Sequence, residues 1–255
     1  MIAFGTAVTC EDLYARYAKA GIDAVAEPGA LVMTRQGMSL PGAYNEMLAQ
    51  ASARDDLEAV ALLHQDLRIE DPDFAAQVRS TFENESVAIA GAVGFTGFSG
   101  HHWVDGVQMS GGVDKPLHGQ LVRLGWTGPY GRQAVEMVDG VLLILSPWAA
   151  RNLRFDPRFA RDFHGYDADI CFEAQALGKQ TVVTQIRTVH ASIGAVGRSR
   201  GAWTRASLEF DRKWGDWLRS GRRTVPARPY AKPGPSLHER IGGEARAELR
   251  RLRGG

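Results

Sequence analysis

The chain has 255 residues, of which 44% are hydrophobic and 23% are charged, the balance of an ordinary globular protein. This composition excludes a disordered chain, a fibrous repeat and a coiled coil, and two cysteines are too few for a disulfide framework. The net charge of +1 hides an asymmetry, because residues 1–190 carry 15 basic and 23 acidic side chains whereas residues 191–255 carry 15 and 6. An acidic body with a basic C-terminal segment fits a cation site in the body and an anion near the tail, or simply a solvated tail.

The N-terminal sequence predicts a cytoplasmic protein. It has no basic start and turns acidic at Glu11, unlike a secretory signal peptide. No apolar run approaches the roughly 20 residues of a membrane-spanning helix. The low cysteine content is typical of a reducing compartment.

In the first 93 residues, apolar runs that predict strands alternate with segments that predict helices. Helix starts are indicated by Thr9 with Asp12, by Ser39 ahead of Pro41, and by Asp71. The expected elements are a strand over 2–8, a helix over 11–20, strands over 23–26 and 31–34, a helix from 39, a strand over 58–63, a helix over 71–84 and a strand over 87–93. This alternation predicts an α/β fold with a mainly parallel sheet.

The second half is less regular. Residues 94–133 are rich in glycine and aromatics, which predicts loops and hairpins that enclose a substrate. The expected elements after them are a strand over 138–145, a short helix from 146, a helix over 167–177, a strand over 181–186 and a helix over 202–219. Four prolines after Gly221 mark a linker. We therefore predict one domain over 1–220 and a linker with a basic tail over 221–255.

Polar residues at the ends of the predicted strands are the candidates for chemistry, since open α/β sheets bind ligands beyond the C-terminal ends of their strands. Asp66 and His64 follow the buried run that ends at Leu63, and His190 follows the last strand. A carboxylate such as Asp66 suits Mg²⁺ or Mn²⁺, although spacing alone favours a turn or a helix cap. Asp167 opens a helix two residues ahead of another aspartate; one of the pair caps the helix and the other is available as a general base.

Several common motifs are missing. No Gly-x-Gly-x-x-Gly follows the first strand, and there is no Walker loop. Cys10 and Cys171 lie too far apart in the sequence to resemble a structural zinc site. The sequence therefore does not favour dinucleotide binding or P-loop chemistry.

Four segments, in this order, carry a resemblance to a known family. They are residues 39–45 (SLPGAYN), 62–69 (LLHQDLRI), 138–140 (VDG) with 155–159 (FDPRF), and 166–178 (YDADICFEAQALG). Over residues 2–190, and on to the helix ending near 219, the chain resembles the GT-A-fold glycosyltransferases of the family 2 type. More narrowly, it resembles the glycosyltransferase-like domain named after a streptomycin-biosynthesis protein. The resemblance implies a single GT-A-like α/β domain.

The resemblance also implies an activity. It is that of a metal-dependent, inverting glycosyltransferase that moves a hexosyl or related group from a nucleoside-diphosphate sugar to a hydroxyl of a glycan, a lipid-linked saccharide or a small molecule. Asp167 matches the base of inverting members. Asp66, with His190, matches the site of a Mn²⁺ or Mg²⁺ ion. His64 stands where the family has an aspartate, and Tyr166 replaces an acidic residue.

The remaining site residues follow from the same resemblance. Those expected at the nucleotide are Thr6, Ala7, Glu27, Asn45, His64, Gln65 and Arg198. Those expected on the acceptor side are Asp139, Gly140, His164, Tyr166 and Asp169.

Other interpretations stay open. One is a non-catalytic module of the same fold that binds a sugar nucleotide or a glycan; another is a nucleotidyltransferase, which would need a glycine-rich first loop with basic residues that residues 6–12 lack. Nucleic acid is not expected as a partner, because the body is acidic. Apolar residues at helical spacing within 237–252 predict a weak contact with the inner face of a membrane, but Gly242 and Gly243 interrupt them and favour a solvated tail.

Overall fold

The computed structural model describes residues 1–97, 108–117, 120–125, 132–161, 163–191 and 200–220. The strands in this part of the chain are β1 (Ile2–Ala7), β2 (Val32–Arg35), β3 (Ala59–Leu63), β4 (Leu67–Ile69), β5 (Val87–Gly91), β6 (Val93–Thr96), β7 (Gln108–Leu117), β8 (Gln120–Gly125), β9 (Gln133–Val135), β10 (Met137–Val138), β11 (Leu142–Leu145), β12 (Gln180–Val183) and β13 (Thr188–His190). The helices are α1 (Glu11–Tyr14), α2 (Ala20–Val25), α3 (Leu40–Ser52), α4 (Phe74–Phe82), α5 (Pro147–Asn152), α6 (Tyr166–Ala176) and α7 (Arg200–Arg219), with a π-helical turn over Ala15–Lys19 and a 3-10 turn over Pro157–Phe159.

The main sheet has seven strands in the order β2-β1-β3-β11-β5-β12-β9. The strands β1, β2, β3, β5 and β12 run parallel, while β9 and β11 run against them. Every residue of β3, β5 and β11 is buried, as expected of strands covered on both faces. Helices α3 and α5 pack on β1 and β3, α4 packs on β5, and α6 packs on β12. The predicted α/β fold with a mainly parallel sheet is confirmed.

A second sheet has the strand order β10-β6-β7-β13-β4, and β8 pairs with β7. It contains much of residues 94–133, for which the sequence predicted loops and hairpins. There β6 pairs with β7, and β7 pairs with β8, as antiparallel strands. Strand β13 pairs with β4 on one side and with β7 on the other. Three segments that are distant in the sequence thereby become neighbours.

The first helical segment runs without a break from α1 through the π-helical turn to α2, so the predicted helix end at Gly21 and the predicted strand over 23–26 are wrong. Gly21 instead lies in close contact with β4, because a Cβ at position 21 would lie 2.5 Å from the backbone nitrogen of Ile69. The predicted capping box is also absent, because Cys10 is the N-cap and has no side-chain cap bond. Gly21 therefore allows the helix to approach β4 rather than ending it.

Helix α3 begins as predicted. The Ser39 hydroxyl accepts a hydrogen bond from the Gly42 N–H, and Pro41 lies in the first turn. By contrast, the single strand predicted over 138–145 is two strands, β10 and β11, separated by a turn. In that turn Asp139 Oδ1 accepts the N–H of Val141 at 3.0 Å. The turn interrupts the strand at Asp139 and Gly140, two residues of the candidate site.

Helix α7 packs on α6 through the buried aromatic rings of Phe210 and Trp214. The ring of Phe172 lies 5.1 Å from Phe210 and 5.7 Å from Trp214, measured between centroids. No helix among the residues described is long and apolar enough to cross a membrane. The predicted linker and tail over 221–255 lie outside the described residues.

Candidate functional site

Three metal-ligating side chains meet where β3 and β13 end. His64 directly follows β3, Asp66 lies just before β4, and His190 is the last residue of β13. Antiparallel pairing places His190 opposite Leu67, and the Ala191 N–H donates to the Asp66 carbonyl at 2.9 Å. Potential ligand atoms of the three side chains all lie within 4.8 Å of one another. The structure thus brings together the two predicted metal ligands and adds His64 to them.

The three side chains fit a divalent ion. The Nε2 atom of His190 lies 3.3 Å from Asp66 Oδ1, a spacing that two ligands of one ion can adopt. Mg²⁺ prefers oxygen ligands and keeps several waters, whereas Mn²⁺ accepts imidazole more readily. A set of two imidazoles and one carboxylate therefore favours Mn²⁺ over Mg²⁺.

A buried lysine that the sequence analysis missed borders this cluster. Lys115 Nζ lies 3.3 Å from His190 Nδ1, and burial lowers the pKa of Lys115 although Asp139 and Asp66 counteract it. The direction of this bond depends on the His190 tautomer: an ammonium group donates to Nδ1 of the Nε2–H form, whereas an ion held by Nε2 requires the Nδ1–H form. No local sequence signal marks Lys115, since its position depends on the pairing of β7 with β13.

Asp167 lies in the first turn of α6 and is buried. Its Oδ2 atom accepts the N–H of Gly140 at 3.0 Å, and its Oδ1 atom accepts the N–H of Ala168 at 2.9 Å. Burial and then the charge of Asp139 raise the pKa of Asp167 to about 7, and the backbone N–H groups oppose this increase. A carboxyl group with this pKa is suited to accept a proton near neutral pH.

Tyr166 connects Asp167 with the histidine–aspartate cluster. Its hydroxyl lies 2.8 Å from His64 Nε2, and it also crowds the turn before β11, where a Cβ at Gly140 would lie 2.0 Å from the hydroxyl oxygen. Only glycine fits there, and its N–H is the one bound by Asp167. Burial and then the neighbouring His190 lower the pKa of His64 to about 4, so the His64 ring is neutral at neutral pH.

Phe163, which the sequence analysis did not select, lies at the rim of the site. Phe163 has a φ of 57°, a left-handed conformation that is uncommon for a bulky residue. Its ring is 47% exposed and lies 5.3 Å from the ring of His64. His164 follows it, largely buried, with its ring centroid 6.2 Å from that of Phe163. Backbone strain at such a position is common at functional sites.

The loop after β1 lies at the same edge of the main sheet as His64 and Asp66. Gln65 binds it, because its side-chain oxygen accepts the N–H groups of Thr9 and Cys10 at 2.8 and 2.9 Å. The predicted nucleotide contacts Thr6 and Ala7 are the last two residues of β1, and the buried Thr6 hydroxyl has no hydrogen-bond partner in the part of the chain described. The amide of Gln65, expected near ribose or phosphate, is instead used to hold this loop.

Glu27 lies apart from the cluster. It binds Arg79, which also binds Glu58 just ahead of β3, so Glu27 lies at the opposite edge of the sheet. Its expected place depended on a strand over 23–26, and that segment is helical as far as Val25. The nucleotide contact expected of Glu27 is therefore corrected. Asn45 exchanges two hydrogen bonds of 2.8 Å with the backbone of Phe155 and thereby pins that segment to α3, and its contact with the nucleotide stays a prediction.

Asp169, expected on the acceptor side, has a structural position. It is completely buried, two residues beyond Asp167 and so on the other face of α6. Its Oδ1 atom lies 2.7 Å from both Lys213 Nζ and Trp214 Nε1 of α7. It anchors α7 to α6 rather than facing the acceptor. Arg198, expected at the nucleotide, lies outside the described residues.

The fold and the position of this site define a class, the GT-A-like glycosyltransferases. The structure is similar over 96% of the chain to GalNAc-T7 with UDP, GalNAc and Mn²⁺, with a TM-score of 0.56, 8% identity and 54% of that chain covered. The chain belongs to the Glycosyltransferase like family, which matches residues 23–200.

Two further proteins are similar to this chain. The Streptomycin biosynthesis protein StrF of Streptomyces griseus is 30% identical over 257 residues, which cover 96% of this chain and 88% of StrF. The structure of A197 from STIV is similar with a TM-score of 0.48 and 13% identity, over 75% of this chain and 85% of that one.

Proposed function

We propose that this protein is a metal-dependent, inverting glycosyltransferase that moves a hexosyl or related group from a nucleoside-diphosphate sugar to an acceptor hydroxyl. The family and the fold support nucleotide-sugar glycosyl transfer in general. The observation that carries the finer assignment is the pairing of a buried carboxyl group of raised pKa, Asp167, with the cluster of His64, Asp66 and His190. Tyr166 joins the two parts through its bond to His64.

In this proposal Asp66 and His190 hold a divalent cation, and His64 completes the set. The cation, when bound, neutralises the charge of the diphosphate leaving group. The Mn²⁺ of the similar GalNAc-T7 structure and the mixed nitrogen and oxygen ligands both favour Mn²⁺ as the first ion to test.

Asp167 is the proposed base. The N–H groups of Gly140 and Ala168 orient its two oxygens, and the pKa of about 7 lets the ionised form accept the proton of the attacking hydroxyl. That hydroxyl forms a bond with the anomeric carbon while the bond to the phosphate oxygen breaks. Attack from the side opposite to the leaving group inverts the anomeric centre.

The acceptor and the nucleotide approach from different directions in this proposal. Asp139, Gly140, His164 and Tyr166 line the acceptor side together with Phe163. Thr6, Ala7 and the loop held by Gln65 face the nucleotide, and Arg198 stays a proposed contact with the diphosphate.

The kind of acceptor is part of the proposal. The name of StrF refers to streptomycin biosynthesis, so a small-molecule acceptor is the first to test, ahead of glycans and lipid-linked saccharides. A cytoplasmic location, the domain boundary at 220 and a weak contact of residues 226–255 with a membrane surface also stay predictions.

A thermal-shift panel tests the site. UDP, GDP, dTDP and CDP are each added with Mn²⁺ or with EDTA, to the wild type and to Asp66→Ala. Ligand at about 100 times its dissociation constant stabilises a protein by about 2.7 kcal/mol, which is readily measured. We expect one nucleotide to raise the melting temperature, only with the metal and only with Asp66 present. A shift that persists in EDTA or in Asp66→Ala would contradict metal-dependent donor binding, and binding without hydrolysis or transfer would indicate a non-catalytic module.

A further inference from the structure

Lys115 is a buried cation whose charge no described group neutralises. The residue is 5% exposed, and its hydrogen bond goes to an imidazole nitrogen, Nδ1 of His190. Among the residues that the structure describes, no carboxylate oxygen lies within ion-pair distance of its Nζ; Asp66 and Asp139 act on it only from farther away. Burying an unpaired ammonium group is costly, and proteins rarely do so without a reason.

Lys213 shows how this protein treats a lysine with a structural role. Its Nζ lies 2.7 Å from Asp169, 2.7 Å from Glu173 and 3.0 Å from Asp156. Three carboxylates thus surround one partly buried ammonium group. Lys115 is more deeply buried and has no such carboxylate among the described residues, an arrangement that suits an anionic ligand.

We propose that Lys115 binds the diphosphate of the sugar donor, an inference that rests on the proposed glycosyl transfer. Pairing of Asp114 with Val189 sets β7 beside β13, and this places the ammonium next to the cluster of His64, Asp66 and His190. Two N–H bonds of the ammonium stay available, and phosphate oxygens accept such charge-assisted bonds strongly. A diphosphate that reaches His190 is within reach of Nζ.

Lys115 then acts on the leaving group. As the bond between the anomeric carbon and the phosphate oxygen breaks, its electron pair stays on the oxygen, while the acceptor oxygen bonds to the carbon and its proton passes to Asp167. The ammonium group stabilises the charge that develops on the departing diphosphate. It does so in a buried setting, where electrostatic interactions are stronger than in water.

Titration with inorganic pyrophosphate and with the four nucleoside diphosphates, all with Mn²⁺, tests this role without knowledge of the donor base. Wild type is compared with Lys115→Met, with Lys115→Arg, and with Lys19→Met, which removes a surface lysine paired with Asp23. We expect Lys115→Met to weaken pyrophosphate and diphosphate binding at least tenfold. Lys19→Met should bind as wild type does, and Lys115→Arg should recover part of the loss. Binding of Mn²⁺ alone, followed by electron paramagnetic resonance, should not weaken in Lys115→Met.

The same variant has a stability readout. Removing an unpaired buried charge should leave the melting temperature of the ligand-free protein unchanged or higher. A Lys115→Met protein that unfolds, or that binds pyrophosphate as tightly as wild type, would overturn the role of Lys115 alone. A wild type that binds neither pyrophosphate nor any of the nucleotides would instead refute the proposed function, and this inference with it.

Discussion

Two buried aspartates, two residues apart on α6, have opposite surroundings. Asp167 accepts only backbone N–H groups, and in the described part of the chain no cation pairs with it. Asp169 is bound by Lys213 and Trp214 of α7. Burial raises the pKa of both carboxyl groups, but for Asp169 the lysine opposes the increase. The comparison shows that the carboxylate that anchors α7 has a fixed cation, whereas Asp167, the proposed base, has none among the described residues.

The largest effect is expected from a substitution of Asp167. Asp167→Asn removes the base but keeps the shape, so the transfer rate should fall by about 100-fold or more. Initial rates with the donor identified by the thermal-shift panel measure it, with nucleotide binding as the control for an intact site. Full transfer activity in this variant would show that another group takes the proton.

The next largest effect is expected when Asp169 loses its cation. Lys213→Met leaves Asp169 buried without its cation, which should cost about 3 kcal/mol of unfolding free energy, equivalent to roughly 6–12 °C in melting temperature. Thermal and urea denaturation measure it. Arg212→Met is the matched control, because within the described ranges the one ion pair of Arg212 is with Glu209 on the surface. Equal stability of the two variants would mean that the ion pairs of Lys213 do not hold α7 in place.

The smallest effect sharpens the comparison through pH. The pKa of Asp167 is about 7 in the folded protein against an ordinary value of 3.8, so between these pH values the folded chain holds a proton that the unfolded chain has released. The contribution of this group to stability is therefore complete below pH 3.8 and lost as the pH rises to 7. Asp167→Asn should raise the melting temperature by a few degrees at pH 8 and by less at pH 5.

The rate of transfer should show the opposite trend. If the ionised form of Asp167 is the base, as proposed, kcat/KM should fall as the pH drops below about 7. Arg212→Met should keep this profile. A profile that is flat from pH 5 to 8 would contradict the assignment of Asp167, whatever the stability data show.

Much of the fold could be predicted because its signals are local. Ser39 and Pro41 mark the start of α3, and the apolar run before His64 marks a buried strand. The strand-end rule then selected Asp66 and His190 as separate candidates, and the family resemblance assigned both of them to one ion. These predictions need only cap chemistry, hydrophobic patterning and the polarity of a parallel sheet.

The rest depends on contacts between distant segments. Gly21 is a typical helix terminator in sequence, but the approach of Ile69 makes it a helix interior residue. That one error also produced a strand over 23–26 and placed Glu27 at the wrong edge of the sheet. Lys115 and Phe163 carry no local signal at all, because pairing of β7 with β13 positions the one and a left-handed backbone positions the other.

The pairing of β13 with β4 also bears on how the protein folds. Asp66 and His190 are 124 positions apart in the sequence, and three backbone pairs bring their strands together. Contacts of such long range form slowly, since closing a long loop costs entropy before any contact compensates for it. During synthesis on the ribosome, the cluster of His64, Asp66 and His190 cannot form until residue 190 has emerged. Uptake of the proposed ion would then report the pairing of β13 with β4.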